Sequence, residues 1–330
     1  MSRRIGAVLL ALALAGAALA PWLSTGEVST QHPAFPLAPP QWPAVHAADG
    51  HWHRPFVPRR TLLTRLPPTY RVSNDPLPLA WFDDRLVRSA LAAEPWLPLG
   101  SDTLGRDVWT RLLHGARLSL GLALSGLAGA TVLGTLIGLV AGARGGWADT
   151  ILMRGADLFL AWPALYVVLV LRARLPLVLP FWTLFALMAA VLTLAGWPVV
   201  ARGVRGVVAA HRHRDYIVAA EAAGASLPWI MRRHLLPAAA PVLATQVVLL
   251  LPAFVLAEAT LSFVGLGFAE PTPSWGTMLR EASTAYTVRQ APWLLAPAVA
   301  IAVVTLAANL LVQRRDHADR EPSPRQAPSR

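Results

Sequence analysis

Four histidines gather early in the chain, at His32, His46, His51 and His53, and a His-x-His spacing can bind a transition metal. Exposed histidines in an irregular loop account for the same pattern without a metal. His211 and His213 read the same way, and no metal ligand set is assigned. A second group, Gly100, Asp102, Gly105 and Asp107, mixes acids with glycines as a calcium loop does, but the EF-hand spacing is absent. Glu258 differs in kind, because it sits inside an apolar stretch, where an ionisable group is costly and by default a functional candidate. It lies near the outer end of that stretch, where water or an arginine partner would satisfy it. A structural ion pair or hydrogen bond is therefore expected, ahead of translocation-path lining or proton coupling. Cysteine is absent, which removes disulfides, thiolate metal sites and cysteine nucleophiles. Lysine is absent too, so all 29 basic side chains are arginine and no Walker A lysine exists to hold ATP. An intramembrane enzyme would need convergent polar groups. The apolar stretches offer Glu258 and Asp157, with no His-Glu-x-x-His and no Gly-x-Ser-x-Gly.

The elements that carry these residues are set by solvent. Hydrophobic residues make up 55% of the 330, charged ones 14%, and the mean hydropathy of +0.48 is too apolar for an ordinary soluble domain. A spanning helix needs about 20 mostly apolar residues. Ile5–Leu23, Leu118–Ala141, Leu175–Val200, Ala238–Phe263 and Pro292–Val312 qualify, and Ile151–Leu171 is a weaker candidate because Arg154 and Asp157 sit in its first turns. The expectation is an all-α polytopic membrane protein with about six transmembrane helices. Arg3 and Arg4, an apolar run and Ala18-Leu19-Ala20 have the form of a cleavable signal peptide. The apolar run continues through Pro21, Trp22 and Leu23, which favours a retained first helix over 1–23, a possible uncleaved signal anchor. Residues 24–100 are rich in Pro, His, Trp and Arg and show no sustained period of 3.6 or 2. They are expected to form an irregular extracytoplasmic segment pinned by Trp42, Trp52, Trp81 and Trp96. Residues 101–313 form the transmembrane domain, and 314–330 a cytoplasmic tail.

Arg202, Arg205, Arg212, Arg214, Arg232 and Arg233 crowd 201–237, which places that loop in the cytoplasm. Alternation then puts Gly142–Thr150, the tail and the N-terminus inside, and the 24–117 and 264–291 segments outside. Arg172 and Arg174 fall in a predicted outer loop and disagree. Arginines at cytoplasmic boundaries and a lipid bilayer explain the net charge of +11 without nucleic acid. Gly134, Gly138 and Gly142 repeat a small-xxx-small spacing that permits close helix approach.

Within 201–237, Asp215 is expected to cap a short helix running to Ala223, with Gly224 as the left-handed residue that ends it. Ser226 then caps a second short helix, with Pro228 in its first turn and Pro237 beyond its end. Such a helix–glycine–helix suits a groove on a partner, or else lies on anionic lipid. The segment resembles the Glu-Ala-Ala-x3-Gly-x9-Ile-x-Leu-Pro loop of binding-protein-dependent permeases. Ala219, Ala220, Gly224, Leu236 and Pro237 fall in register, Val218 stands where that pattern has glutamate, and His234 where it has isoleucine. The Arg233-His234 pair looks like the peptide-permease branch, and Asp215, Gly224 and Ala225 belong to the same ATPase-coupling loop. The stretch before the second span is similar to that of dipeptide and oligopeptide permeases at Gly100, Asp102, Gly105, Arg106, Asp107, Arg111, Gly115 and Arg117. After the fifth span, Leu261-Ser-Phe-Val-Gly265-Leu-Gly267 and Pro271-Thr-Pro273-Ser-Trp275-Gly276 look like the same family's outer turn.

The resemblance, over roughly residues 97–312, implies the type I permease fold of an ABC importer in a bacterial inner membrane. It further implies pairing with a second permease subunit, two ATP-binding subunits and an extracytoplasmic solute-binding protein. ATP would be bound by the partner subunits, with no cofactor in this chain. The solute would be a peptide or similar molecule, or a chelated metal such as nickel. A channel or scaffold without ATP coupling is the alternative of another class, and it would not require the helix–glycine–helix loop.

Overall fold

The computed structural model describes residues 2–46, 52–91, 94–161, 164–174, 176, 179–284 and 289–312. His51 and the 314–330 tail fall outside them, as do the side chains of His46 and His53.

Apolar length makes the helices. The chain opens with α1 (Ser2–Ala18) and α2 (Ala20–Leu23) and enters the bundle proper with α3 (Val108–Arg144). The 37 residues of α3 give about 55 Å at ~1.5 Å per residue, well beyond a hydrocarbon core of about 30 Å. There follow α4 (Gly146–Ala161), α5 (Ala164–Arg174), α6 (Phe181–His211), α7 (Asp215–Ala222), α8 (Leu227–Ile230), α9 (Leu236–Phe263) and α10 (Trp275–Glu281). The last is α11 (Ala296–Val312). Among the described residues, Val108–Arg144, Phe181–His211, Leu227–Phe263 and Pro292–Val312 are long and apolar enough to cross a membrane. The expected first span is shorter, yet α1 is part of the bundle: a Cβ on Gly6 would lie 2.6 Å from the Ala307 carbonyl on α11. The expected third span falls on two shorter helices, α4 and α5. Arg154 and Asp157 interrupt its apolar face, and Asp157 pairs with Arg202 on α6.

The backbones of α3 and α6 approach along a ladder of small residues. A Cβ on Gly134 would lie 2.6 Å from the Trp197 carbonyl, one on Gly138 2.8 Å from Val204, and one on Gly142 2.7 Å from Val208. The spacing read from the sequence is thus a packing seam.

Residues 24–100 correct the expectation of an irregular segment, and with it a strictly all-α chain. A four-stranded antiparallel sheet runs in the order β1 (Ala44–His46), β2 (Trp52–Arg65), β3 (Pro68–Trp81), β4 (Val87–Ser89). Pro55, Pro58, Pro68, Pro76 and Pro78 interrupt any alternation and hide the strands from a periodicity reading. They are tolerated because β1 and β4 flank only the base of the β2–β3 hairpin, so many backbone N–H groups of the ribbon have no neighbour to bond. Phe56, Val57, Leu77 and Val87 are buried.

Candidate functional site

The sheet stands at the end of the bundle where α3 begins, and α7 and α8 at the end where α3 stops. The motif residues divide between these two ends.

At the sheet-bearing end Asp107 is the N-cap of α3, accepting the Trp109 and Thr110 N–H groups at 3.1 and 3.0 Å and the Thr25 hydroxyl at 2.5 Å. The turn before it folds because Gly100 and Gly105 both take φ +74 and because Asp102 accepts the Leu104 and Arg106 N–H groups at 2.9 Å. That turn buries Arg106 and aims it at three carboxylates: Asp102 at 2.6 Å, Glu270 at 2.6 Å, and Glu281. Arg111, one turn into α3 and 1% exposed, meets Glu270 at 2.8 Å and Glu281 at 3.5 Å. Two arginines and three acids from segments far apart in sequence thus form one clasp, which fixes the 264–281 turn against α3. Burial opposes the Arg106 charge, yet Asp102, Glu281 and Glu270 hold its guanidinium above the ordinary value. Glu270 is held below the usual carboxylate range by its hydrogen bond to Arg111 and the Arg111 and Arg106 charges, against the effect of burial. Burial, reinforced by the Asp102 and Glu270 charges, pushes Glu281 up to about 7.

Beside the clasp, Trp275 starts α10, with Ser274 and Thr277 forming a reciprocal capping box. The Trp275 backbone N–H donates to the Ser119 hydroxyl at 3.1 Å, and its indole N–H to the Leu112 carbonyl at 3.2 Å. Gly115 and Gly276 are the close-approach positions here: a Cβ on Gly115 would lie 3.3 Å from the Trp275 ring, and one on Gly276 would meet the Ala259 carbonyl. Gly265 takes φ +86, Gly267 packs against Ser262, and Pro271 and Pro273 carry the chain into the cap, Pro273 buried. Glu258 is 2% exposed, and its partners among the described residues are hydroxyls. Ser262 donates to it at 2.7 Å, and the Ser119 and Ser274 side chains face it. It therefore joins α3, α9 and α10. Arg117 is exposed and makes no ion pair among the described residues.

At the opposite end α7 closes on a Schellman motif: Ala225 N–H donates to the Ala220 carbonyl at 3.0 Å and Gly224 N–H to Glu221 at 2.9 Å, with Gly224 at φ +84. Asp215 is not the cap expected of it. Arg214 holds the cap position, no side chain bonds there, and Asp215 instead supplies negative charge in the first turn. Ser226 occupies the next cap position without a side-chain bond. The second helix does not stop before Pro237: a π turn over Met231–Leu235 carries it into α9, so Leu227–Phe263 is continuous. Pro237 lies two residues past the π turn, with Leu236 half-buried beside it. Ile217, Ile230 and Leu235 pack on Val200, Val204 and Val208 of α6 and anchor the unit. What remains outward is Ala219, Gly224, Arg233 and the rings of Tyr216 and Trp229, with His234 between those rings at 5.7 and 5.3 Å. Ala220 and Ala225 are half-buried behind them.

Glu270, Glu281, Thr25, Tyr216 and Trp229 were not singled out from the sequence, whereas Ser119, Ser262 and Ser274 stand within the motif stretches. Glu270 falls between the two quoted stretches of the outer turn. Glu281 is 175 residues from Arg106, and nothing local marks it.

A helical bundle sized for a bilayer, with a folded sheet at one end and an anchored, outward-facing helix–glycine–helix at the other, defines a multi-pass membrane subunit built to meet partners. Residues 134–316 match the family of binding-protein-dependent transport system inner membrane components, and the chain belongs to that family. A putative peptide permease protein of Brucella ovis is 35% identical over 226 residues, covering 68% of this chain and 72% of the relative. The dipeptide transport system permease protein DppC of Alkalihalophilus pseudofirmus is 35% identical over 221 residues, 67% of this chain and 69% of its own. The oligopeptide transport system permease protein OppC of Bacillus subtilis is 34% identical over 213 residues, 64% and 67%.

Proposed function

We propose that this chain is one permease subunit of an ATP-driven importer of peptides or peptide-like solutes. In this reading it pairs with a second permease, two ATPase subunits and an extracytoplasmic solute-binding protein. The observation that carries it is the outward-facing surface of Tyr216, Gly224 and Trp229, anchored through Ile217, Ile230 and Leu235 on α6 and continuous with α9. A rigid knob fused to two spanning helices transmits a push from a soluble motor to the bundle as a rigid-body rocking. Family membership and the names of the relatives support the importer and the peptide class. No bond is made or broken within the chain. ATP sits in the partners, and the roles of the motif residues are positional.

The arginines of 201–237 put the knob in the cytoplasm and the sheet outside. A reporter fused after Gly206 should read cytoplasm and one near Ser274 the outside, and an affinity-tagged chain should bring an ATPase with it from detergent extracts. The reverse topology would put the knob beyond reach of any cytoplasmic motor and end the reading.

A further inference from the structure

Between residues 54 and 72 the chain holds five arginines, Arg54, Arg59, Arg60, Arg65 and Arg71, and no acid. Arg54 lies at the base of the β2–β3 hairpin and the other four on its outer part. β1 and β4 pair only at its base, at Ala44↔Phe56 and Leu79↔Ser89, so among the described residues no strand flanks the ribbon beyond Arg60↔Val72. An isolated two-stranded ribbon is marginal in water. This one is strutted: the Tyr70 hydroxyl donates to the Pro36 carbonyl at 2.5 Å, and Arg60 donates to the Pro40 carbonyl at 2.8 Å. Arg59 pairs with Glu94. Arg54, Arg65 and Arg71 are exposed with no ion pair among the described residues, and Leu63, Leu66 and Val72 project beside them, Leu66 at 86% exposure.

We propose that this arm is a docking surface for an acidic face of the soluble solute-binding protein, a contact added to those of the membrane domain. The inference rests on the importer reading above. The arm lies outside the 134–316 segment that matches the family. Its chemistry favours a protein over a lipid surface. Trp and Tyr are enriched at membrane interfaces, and the ring nearest the tip, Tyr70, is turned inward onto Pro36. Unpaired arginines among small exposed aliphatics suit a polar-rimmed protein contact, with the charges steering encounter. The struts also lead inward. Ala38 exchanges hydrogen bonds with Ser101 at 2.8 and 2.9 Å, and Leu37 N–H donates to the Asp102 carbonyl at 2.9 Å. A load on the arm therefore reaches the clasp through a short hydrogen-bonded strap.

The test uses the assembled complex in nanodiscs and the solute-binding protein of the same importer. Arg65→Glu with Arg71→Glu should raise the apparent Kd for the binding protein about tenfold at low salt, with the gap closing as salt rises. Basal ATP hydrolysis and the thermal midpoint should stay unchanged. A second variant, with 61–71 replaced by a short Gly-Ser turn, should give the same loss. Equal affinity in all three proteins overturns the proposal. So does a loss that follows the anionic phospholipid fraction of the nanodisc instead of the binding protein. A wild-type complex lacking ATPase activity altogether would sink the importer reading, an outcome distinct from a charge-insensitive arm.

Discussion

Arg106 and Arg111 at the sheet-bearing end are buried among three carboxylates, whereas Arg232 and Arg233 at the other end are exposed with no ion pair among the described residues. Within the motifs the aromatics differ in the same way: Trp275 is buried with its indole N–H satisfied, while Tyr216 and Trp229 present their rings outward. Burying ions costs several kcal/mol each unless partners and geometry offset it. A site that buries Asp102, Arg106 and Arg111 and closes them with Glu270 and Glu281 at its rim is therefore organised to remain closed within its own chain. The knob instead satisfies its backbone locally, through the Schellman motif, and leaves side chains free. One end holds the fold's own parts in place, and the other is prepared for something absent from the chain.

The largest effect should come from breaking the closed end. Arg111→Ala leaves Asp102, Glu270 and Glu281 with one guanidinium among them and should cost about 3–5 kcal/mol, the range for breaking a buried pair. Thermal unfolding in detergent should show a clearly lowered midpoint or loss of folded protein. An unchanged midpoint would mean that the clasp is not what holds the outer turn. The open end should respond in the opposite manner. No atom lies within 4 Å of a Cβ built on Gly224, so only its φ of +84 resists substitution. Gly224→Val should strain the left-handed cap by about 1–2 kcal/mol. Solute uptake and transport-coupled ATP hydrolysis should fall about tenfold while the thermal midpoint barely moves. Gly224→Asn, which tolerates that φ, should retain most activity. Normal uptake in a well-assembled valine variant would remove the geometric role of the cap.

What the sequence disclosed followed from how local each signal was. Apolar length announced the long helices, and the glycines at 134, 138 and 142 announced the α3–α6 seam, because both patterns lie within one element. The strands were hidden because prolines at 55, 58, 68, 76 and 78 erase alternation, although they fit a ribbon flanked only at its base. The two halves of the clasp were each visible as motifs, but their meeting was not. Ion pairing across 159 to 175 residues has no local signature, and Glu281 closes the cluster from a helix that no periodicity marked. Pro237 misled in a different way. As a helix breaker it suggested an end, but the π turn before it lets the helix continue into α9.

The smallest effect expected is one of pH, and it isolates the closed end. Glu281 is pushed up to about 7 by burial and by its acidic neighbours, so between about 4.5 and 7 the folded protein binds a proton that the unfolded chain has released. Its contribution to stability is therefore fully present below about 4.5 and is lost as pH rises through 7. Glu270, held low, works in the other sense, but its loss occurs as pH falls below the ordinary carboxylate range, outside that window. His32, lowered by burial, favours the folded state as pH rises through 6.5 and would mask part of the trend in the wild type. Comparison with Glu281→Gln cancels the histidine term. The full shift corresponds to at most about 3 kcal/mol, and the 21% exposure of the Glu281 side chain trims this toward ~1 kcal/mol. The thermal midpoint of the wild type, measured from pH 5 to 8 in nanodiscs, should fall by a few degrees more than that of Glu281→Gln. Parallel curves for the two proteins would show that the fifth charge of the clasp is already screened by water. The closed end would then be less closed than the burial of its arginines implies.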